Sequence, residues 1–535
     1  MSDVIGRGTW IDKLAYDMIQ REKSLGRDID KTIIVESGLG ASGIPHVGSL
    51  GDAVRSYGVK MALNDMGYDS ELLAYSDDLD GLRKIPDGFP KSLEDFVGQP
   101  VSLIPDPFGS YDSYADHMSR ILLDGLDRLG IQYKSQRAFD AYKDGLLYKQ
   151  IHTILKQADY IGQKIKDIVG QDKYVKSLPY FAVCEKCHKI YTTDSYEYDA
   201  SSYMVRYRCV DIVIGGRVIS GCGHRGMVNI RGGLGKLAWK VEFAARWSAF
   251  DVRFEAYGKD IMDSVSVNDW ISEHILGYAP PHHVRYEMFL DRGGKKISKS
   301  KGNVVTAQDW LDVGTPQSLL LLMYKRIQGA RRLGLEDVPA LMNEYDELEN
   351  TYFGVTKMDN LDKAVRLRGL YEYVNLLRPP DSICPHVSYT LLVELAKIYT
   401  GDSRTEQILQ KLDTYSKLPK DTSPIIHLIK LACRFADEYG HVEREEIQLN
   451  ADVIPAISTL ITSLKDSPDI DSQEMIYSAA KSHDIKPRTL FEALYLIILG
   501  TRRGPRLGPL ISDMGASNVI RMLQRYVPAN RYGPQ

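Results

Sequence analysis

Several features that assign a protein to a class at once are scarce or missing in this 535-residue sequence. Cysteine occurs only six times, so a disulfide framework is not expected. The most apolar stretch, residues 490–499, is too short to span a bilayer and predicts a buried helix. The pattern GxxxxGK[ST] does not occur, which excludes a P-loop. The amino terminus has no apolar core of signal-peptide length, so we expect a cytosolic protein with no membrane partner.

An excess of positive charge is also missing, since the formal net charge is −4. This charge argues against histone-like binding of nucleic acid through an overall positive surface, but local basic patches can still contact phosphates. Two groups of arginines are interpreted either as RNA-backbone contacts or as solvated helix ends: Arg326, Arg331 and Arg332, and Arg502, Arg503 and Arg506. The length predicts two to four domains. The sequence does not define the oligomeric state, and we expect a monomer.

Strand and helix patterns alternate in the first 80 residues. Residues 31–36 and 71–76 are short apolar runs typical of buried strands, and residues 47–66 carry apolar positions at helical spacing. This order predicts a βαβ unit in a parallel sheet, with the ligand at the carboxyl ends of the strands. Strand patterns resume at residues 252–257 and 284–290, and the sequence is helical from about residue 315.

A glycine-rich turn joins the first strand to the first helix of this unit. Residues 38–43, GLGASG, match the GxGxxG pattern of dinucleotide-binding turns. Gly43 and Gly48 allow a nucleotide to approach the backbone, and His46 can donate a hydrogen bond to a phosphate at the helix N-terminus. The alternatives at this point are a dinucleotide fold, or a histidine that only satisfies the turn.

A second segment, residues 291–303 (DRGGKKISKSKGN), favours an ATP site. It follows a predicted strand and combines a glycine hinge with alternating lysine and serine. The segment offers ammonium and hydroxyl donors from Lys296, Ser298 and Lys299. Such donors can bind a polyphosphate during the reaction and release it afterwards. A charge run of this kind is otherwise a solvated surface.

Four of the six cysteines fall in one region: Cys184, Cys187, Cys209 and Cys222. The first two have CxxC spacing, and Gly215 with Gly216 predicts a hairpin inserted between the last two. Four thiolates are the ligand set of a closed, structural zinc site. His224 is the alternative for the third or fourth ligand.

Residues 42–48 (SGIPHVG) and 296–300 (KISKS) together resemble the HIGH and KMSKS motifs of class I aminoacyl-tRNA synthetases. The surrounding sequence resembles the class I lysyl-tRNA synthetases found mainly in archaea and some bacteria. Matching stretches cover nearly the whole chain: 36–38, 76–86, 235–240, 245–247, 254–260, 277–281, 286–287 and 504–509. The stretches around Trp239 and at 258–260 carry the lysine assignment.

The resemblance implies an α/β fold, with a Rossmann-like parallel-sheet catalytic domain, inserted helical and zinc-binding modules, and an all-α anticodon-binding half. The expected boundaries are 1–90 for the first half of the Rossmann domain, 91–230 for a connective insertion with a zinc module at about 181–230, 231–292 for the second half of the Rossmann domain, 293–340 for the KMSKS loop and stem-contact region, and 341–535 for the anticodon-binding region.

The implied activity is ATP-dependent formation of lysyl-adenylate followed by transfer of lysine to tRNA-Lys, with Mg²⁺ bound to the ATP and Zn²⁺ in a structural role. Catalysis is assigned to His46, Lys296 and Lys299, and ATP binding to Ser42, Gly43, His46, Gly48, Asp260, Ser298 and Lys299. Lysine binding is assigned to Ser37, Gly38, Asp77, Asp78, Trp239 and Tyr286. Asp77, Asp78 and Glu36 are alternatives for holding the lysine ammonium, and Trp239 and Tyr286 otherwise belong to the core.

Four features depart from the family pattern near the expected amino-acid pocket. Ser49 stands where most class I enzymes have His and this family commonly has Asn, and Phe243 stands where a second Trp is common. Ile261 stands where the family usually has His, and residues 263–265 (DSV) replace a glycine-rich run. Two further hypotheses therefore stay open: a class I synthetase for another amino acid such as glutamate or cysteine, and a catalytically silent tRNA-binding relative.

Overall fold

The computed structural model describes residues 4–287, 289–290, 305–329, 331–440, 447–466 and 471–527. The chain divides into two compact units. The first comprises Met1–Gln308, Leu322–Leu333 and Glu372–Arg378. The second comprises Asp309–Leu321, Gly334–Tyr371 and Pro379–Gln535.

The elements are numbered in chain order. The helices are α1 Trp10–Ser24, α2 Val47–Asp65, α3 Tyr114–Arg128, α4 Ala138–Lys143, α5 Tyr148–Lys156, α6 Ala158–Val169, α7 Trp239–Phe250, α8 Met262–His274, α9 Ala307–Val313, α10 Pro316–Tyr324, α11 Val338–Tyr352, α12 Leu361–Val374, α13 Tyr389–Ile398, α14 Arg404–Thr414, α15 Ser423–Tyr439, α16 Ile454–Asp466, α17 Ser472–Ser482, α18 Pro487–Leu499, α19 Leu507–Met514 and α20 Ala516–Gln524. The strands are β1 Ile33–Leu39, β2 Ser70–Ser76, β3 Lys134–Arg137, β4 Tyr180–Ala182, β5 Thr193–Asp199, β6 Met204–Cys209, β7 Ile212–Ile214, β8 Arg217–Ile219, β9 Arg225–Asn229, β10 Gly235–Leu237, β11 Val252–Gly258, β12 His282–Tyr286, β13 Phe289–Leu290 and β14 Arg331–Arg332.

The central sheet of the first unit has five parallel strands in the order β12–β11–β1–β2–β3. The chain leaves β1 through α2 and returns as β2 on one side, whereas β11 lies on the other side of β1. The direction of winding therefore reverses between β1 and β11, and in sheets of this kind the ligand crevice opens at the carboxyl ends of those strands. The prediction of an α/β protein with a Rossmann-like sheet is confirmed.

The segment predicted as a connective insertion contributes one strand to this sheet. All of residues 91–230 are predicted to belong to the insertion, but β3 pairs in parallel with β2 at the sheet edge. Its sequence, KSQR, is exposed or half-buried and has no apolar run, because an edge strand covered on one side only does not need one. The hydrophobic pattern therefore could not reveal it.

The second unit is helical throughout its described residues. Near the carboxyl end α16 packs against α17 and α20, and α17 packs against α18 and α19. The apolar run predicted as a buried helix is α18, with its buried face formed by Leu490, Ala493, Leu494, Ile497 and Ile498. Among the described helices, none is long and apolar enough to cross a membrane.

Candidate active site

A cavity of about 290 Å³ opens at the carboxyl ends of the central strands. It gathers residues from four strands or the turns that follow them: Gly38 from β1, Asp77 after β2, Glu255 from β11 and Tyr286 from β12. Of the residues predicted to form the site, the cavity brings together Gly38, His46, Gly48, Asp77, Trp239, Asp260 and Tyr286. The sheet topology therefore places the predicted ATP and amino-acid residues around one pocket.

His46 is the N-cap of α2, and this role defines the state of its ring. Its Nδ1 accepts a hydrogen bond from the backbone N–H of Ser49 at 3.2 Å. Because Nδ1 is the acceptor, the ring proton of a neutral imidazole resides on Nε2, which is then a donor. A Cβ atom at Gly48 would lie 2.7 Å from the His46 ring, so the ring packs where only a glycine allows it. The cap thus presents a donor at the positive end of the α2 helix dipole.

Arg246 on α7 lies at the centre of a buried ionic cluster behind the cavity. Its guanidinium contacts Glu36 of β1 at 2.5 Å, Glu255 of β11 at 3.2 Å and Asp77 at 3.3 Å, and it lies 4.5 Å from the Tyr75 ring centroid. Only 2% of its side chain is exposed. The three carboxylates raise the pKa of Arg246 although burial acts in the opposite direction. One permanent cation therefore links three neighbouring strands of the sheet.

A second buried cation, Lys236 of β10, lies beside this cluster. Its ammonium contacts Asp80 at 2.6 Å and Glu242 at 2.9 Å, and Tyr142 donates a hydrogen bond to Glu242. Within the two clusters, Arg246 and Lys236 face five carboxylates: Glu36, Asp77, Asp80, Glu242 and Glu255. Buried charge of one sign is costly unless it is compensated. Of these seven side chains, Asp77, Glu255 and Arg246 line the cavity, so two carboxyl groups face it beside one cation.

The two adjacent aspartates after β2 have different surroundings. Asp77 lines the cavity, and burial raises the pKa of its carboxyl to about 7 against the opposing effect of Arg246. Asp78 instead accepts hydrogen bonds from Arg137 at 2.8 Å and from the backbone N–H of Phe139 at 2.7 Å. Its carboxylate therefore ties β3 and α4 to the end of β2, and it does not line the cavity.

The other predicted residues stand behind the cavity or outside the described structure. Ser37 is fully buried in β1, and its hydroxyl has no hydrogen-bond partner among the described residues. Ser42 and Gly43 lie in the turn before α2, where the Ser42 carbonyl accepts a hydrogen bond from Tyr114. The loop residues assigned to catalysis and ATP binding lie outside the described residues: Lys296, Ser298 and Lys299.

The aromatic residues assigned to the lysine site do line the cavity. The Trp239 Nε1 lies 3.4 Å from Asp80, and Tyr286 donates a hydrogen bond to Asp52. Sequence reasoning missed Asp52, whose only signal is a charged residue on an otherwise buried turn of α2. It also missed Arg246 and Glu255, although buried charges within an apolar helix and strand are a signal of function.

Three of the four departures from the family pattern, Ser49, Phe243 and Ile261, line the same cavity, whereas residues 263–265 do not. Phe243 stands between Trp239 and Trp247, with ring centroids 5.8 and 6.2 Å away. The substituted residues therefore form part of the pocket wall.

The four predicted cysteines meet in a separate module of the first unit. Their sulfur atoms all lie within 4.8 Å of one another, with Cys184 and Cys222 3.6 Å apart and Cys187 and Cys209 3.7 Å apart. All four are free thiols. His224, the alternative ligand, contacts Glu185 at 2.6 Å and does not belong to the group.

The predicted hairpin between Cys209 and Cys222 is present as β7 and β8. Ile219 at the end of β8 belongs to an apolar cluster that also contains Ala41, while Ile44 packs against the same cluster. Both Ala41 and Ile44 are part of the turn that leads to His46. One apolar cluster therefore supports the cysteine module and the turn before α2.

A Rossmann-like sheet with a histidine-capped helix after its first strand is the arrangement of class I synthetases. A family model described as tRNA synthetases class I (K) matches residues 8–376. A curated lysine--tRNA ligase of Cenarchaeum symbiosum is 57% identical over 522 residues, which cover 98% of this chain and 99% of that protein. A lysine--tRNA ligase of Rickettsia felis is 28% identical, covering 96% of this chain and 98% of that protein. The chain belongs to the class I (K) family of tRNA synthetases.

Replacement of Arg246 by methionine is expected to lower the free energy of unfolding by about 3–5 kcal/mol, because three buried carboxylates lose their shared cation. Urea unfolding monitored by circular dichroism measures this change. The matched control is Arg206→Met, since Arg206 forms an exposed pair with Glu197 and its loss should cost less than about 1 kcal/mol. Equal, small changes in both variants would contradict the role of Arg246.

Proposed function

We propose that this protein activates lysine with ATP to form lysyl-adenylate and then transfers lysine to tRNA-Lys. The observation that carries the choice of amino acid is the acidic character of the cavity wall. Among the described residues that line it, five acidic side chains face one arginine, Arg246: Asp52, Asp77, Glu255, Asp260 and Glu287. The names of the relatives that match the whole chain, both lysine--tRNA ligases, support the same activity.

Lysine is the substrate whose charge fits this wall. It carries an ammonium on its side chain and another on its α-carbon, so two cationic groups enter a cavity short of positive charge. Glutamate would add a carboxylate to the same wall. Cysteine has no cationic side chain and would leave the negative charge of the wall uncompensated. Asp77 is the carboxylate that we assign to an ammonium of lysine, since Glu36 is wholly buried beside Arg246 and Asp78 is bound to Arg137.

The first step requires positioning more than proton transfer. The lysine carboxylate is already ionised when it attacks the α-phosphate of ATP, and pyrophosphate leaves. His46 donates from Nε2 to the phosphates, and the amides at the N-terminus of α2 add positive potential. The polyphosphate is also bound by the loop residues Lys296, Ser298 and Lys299, and Mg²⁺ supplies charge neutralisation when bound with ATP.

The nucleotide can come close to the backbone at Ser42, Gly43 and Gly48. Asp260 at the cavity wall contacts the ATP or the amino acid.

In the second step the activated lysine passes to the terminal adenosine of tRNA-Lys. We assign this chemistry to the first unit, with the catalytic domain divided at residues 1–90 and 231–292 around the insertion. Residues 293–340 then hold the KMSKS loop and the stem contact, and the helical residues 341–535 bind the anticodon arm.

Exchange of pyrophosphate into ATP tests the proposal directly, with each amino acid supplied in turn and with tRNA present or absent. Lysine-dependent exchange and lysylation of tRNA-Lys are the expected results. Exchange with glutamate or cysteine would identify a synthetase of another specificity. No exchange with any amino acid, together with retained tRNA binding, would identify a silent relative.

The variant Lys299→Ala should slow adenylate formation far more than it weakens lysine binding. Loss of one donor to the reacting phosphates is expected to cost roughly 2.7–4 kcal/mol of transition-state stabilisation, which is about a hundred- to thousandfold in rate. Rapid-quench measurement of the activation rate at saturating ATP and lysine gives the value. An unchanged rate would remove Lys299 from the catalytic assignment.

The variant Asp77→Asn should raise the KM for lysine about 10- to 150-fold, because a charged hydrogen bond worth about 1.5–3 kcal/mol is lost, with little effect on the KM for ATP. The wild-type enzyme should also bind lysine more weakly as the pH falls through about 7, since the carboxyl of Asp77 takes up a proton there and loses its charge. In the asparagine variant this pH dependence should be reduced.

The control for this substitution is Asp159→Asn, which removes an exposed carboxylate from α6, away from the cavity lining. It should leave both the KM for lysine and its pH profile unchanged. Equal effects of Asp77→Asn on lysine and on ATP would indicate general damage to the site instead of a contact to the ammonium.

We also propose that the four cysteines hold a structural zinc ion. Tetrahedral zinc with Zn–S bonds of about 2.3 Å places its sulfur ligands roughly 3.8 Å apart, and the 3.6 and 3.7 Å separations fit this geometry. Four thiolates leave no open position for a substrate, so the metal would stabilise the module without entering the reaction.

Elemental analysis of the purified protein is expected to find about one zinc per chain. Cys187→Ser should reduce the zinc content and lower the melting temperature, because metal binding contributes directly to folding of such modules. The control is Cys384→Ser, since Cys384 is exposed and lies far along the chain from the cluster. A protein that contains no zinc, or that folds equally well after Cys187→Ser, would reject the site.

A further inference from the structure

A buried arginine of α2, Arg55, lies directly behind the lining of the cavity. Only 2% of this residue is exposed, and its Nε and Nη1 atoms have no hydrogen-bond partner among the described residues. Removing a guanidinium from water without hydrogen bonds is costly, so an apolar side chain would serve a purely structural role better. The cost that the fold bears at this position indicates a function for Arg55.

The Arg55 guanidinium lies over two rings that line the cavity. Its central carbon, Cζ, is 4.5 Å from the ring centroid of Tyr286 and 5.7 Å from that of Phe289. A cation is attracted to the face of an aromatic ring, and the attraction is larger when both groups are removed from water. Arg55 does not line the cavity, so it acts on a ligand only through the side chains that do.

The helix itself leaves space for this guanidinium at Gly51, one turn before Arg55. A Cβ atom at Gly51 would lie 2.7 Å from the Arg55 Nη1 and 3.3 Å from the sulfur of Met323. Any side chain at residue 51 would therefore displace the guanidinium from the two rings. The position of Arg55 is thus encoded by two residues of α2 together.

Asp52 connects this arginine to the cavity by charge. Its carboxyl lines the cavity and accepts a hydrogen bond from the Tyr286 hydroxyl. Burial raises the pKa of Asp52 well above its usual range, and Asp260 and Glu255 on the neighbouring β11 side raise it further. Arg55 acts in the opposite direction, since its positive charge favours the ionised carboxylate.

Arg55 keeps its own charge at neutral pH. Burial lowers the pKa of its guanidinium to about 10, whereas Asp52 and Tyr324 of α10 raise it. A group with this pKa is cationic at pH 7. The cation, the Tyr286 ring and the Asp52 carboxyl therefore form one array, of which only the ring and the carboxyl reach the cavity.

We propose that Arg55 is a positioning residue for lysine binding, which fixes the Tyr286 ring and preserves the negative charge of Asp52 at the cavity wall. This inference rests on the proposed function, because it takes lysine as the ligand. A charged carboxylate attracts a cationic substrate more strongly than a neutral carboxyl does. The arginine stands behind the lining, so its repulsion of lysine acts over a longer distance and is smaller than this gain.

The first test is calorimetric titration of the full chain with lysine at several pH values from about 6 to 8.5. Arg55→Met keeps the length of the side chain and removes its charge, so the pKa of Asp52 should rise. At pH 7 the Kd for lysine should then increase about tenfold for each rise of about one in that pKa. The difference from the wild type should shrink as the pH rises, because Asp52 loses its proton there. Arg55→Lys keeps a cation and should restore most of the affinity.

A double-mutant cycle shows whether Arg55 acts through Asp52. In the background Asp52→Asn no carboxyl group remains to be kept charged, so Arg55→Met should not raise the Kd for lysine further. The same fold increase in both backgrounds, independent of pH, would indicate structural damage and would overturn the proposal.

The matched control is Arg231→Met. Arg231 also lies over a tyrosine, with its Cζ 3.6 Å from the ring centroid of Tyr203, but neither residue lines the cavity. This variant should leave the Kd for lysine and its pH dependence unchanged. Thermal melting shows that each variant is folded, and the neutral but polar Arg55→Gln provides the same comparison if Arg55→Met does not fold.

Lysine-dependent pyrophosphate exchange distinguishes failure of this inference from failure of the proposed function. Arg55→Met should raise the KM for lysine and keep most of the kcat at saturating lysine. If the wild type itself does not use lysine, the proposed function fails. If the wild type uses lysine and Arg55→Met binds it with wild-type affinity at every pH, only the role of Arg55 is rejected.

Discussion

The contact of the Arg246 guanidinium with three carboxylates is the constraint on which the rest of the site depends. Glu36 lies within β1, Glu255 within β11 and Asp77 directly after β2. Arg246 on α7 contacts all three. In a buried setting such contacts are strong, and loss of one member leaves the others uncompensated. The same cluster fixes the shape of the cavity floor and makes it electrostatically incomplete, because burial raises the pKa values of Glu36 and Asp77 in spite of the nearby arginine. A cationic ligand is therefore favoured by the same group that holds the strands together.

The cavity is divided by charge in a way that suits a reaction between a cation-bearing amino acid and a polyanion. The negative wall is formed by Asp77 and Glu255, whereas the N-terminus of α2, with His46 as its cap, presents donors and positive potential. Both features follow from sheet topology, because the carboxyl ends of β1 and β11 and the start of α2 meet where the winding reverses. In the proposed function, attraction at both ends would bring the lysine carboxylate towards the α-phosphate, so that positioning would provide much of the catalysis.

The sequence predicted the parts of the site that local patterns encode. The βαβ unit, the histidine turn and the four cysteines each depend on spacing within a short segment, and the structure has each of them. Arg246 and Glu255 were missed because their roles come from contacts between distant segments, which hydrophobic periodicity does not report. Asp77 and Asp78 are neighbours with similar chemistry, and only the direction of the backbone after β2 sends one to the cavity and the other to Arg137. The edge strand β3 was missed for a related reason, since it is paired but not apolar.

The cysteine module contributes to the site although it is separate from the cavity. Cys209 and Cys222 flank the hairpin β7–β8, so a metal held by them would fix the base of that hairpin. Ile219 at the end of the hairpin shares one apolar cluster with Ala41, which precedes the histidine turn, and close-packed interiors transmit small displacements. Loosening of the hairpin would therefore reach the N-terminus of α2 through apolar packing, without any polar contact to ATP. A structural metal in this position would stabilise the packing beneath the turn that precedes α2. Its loss would therefore raise the KM for ATP before it weakened the binding of lysine.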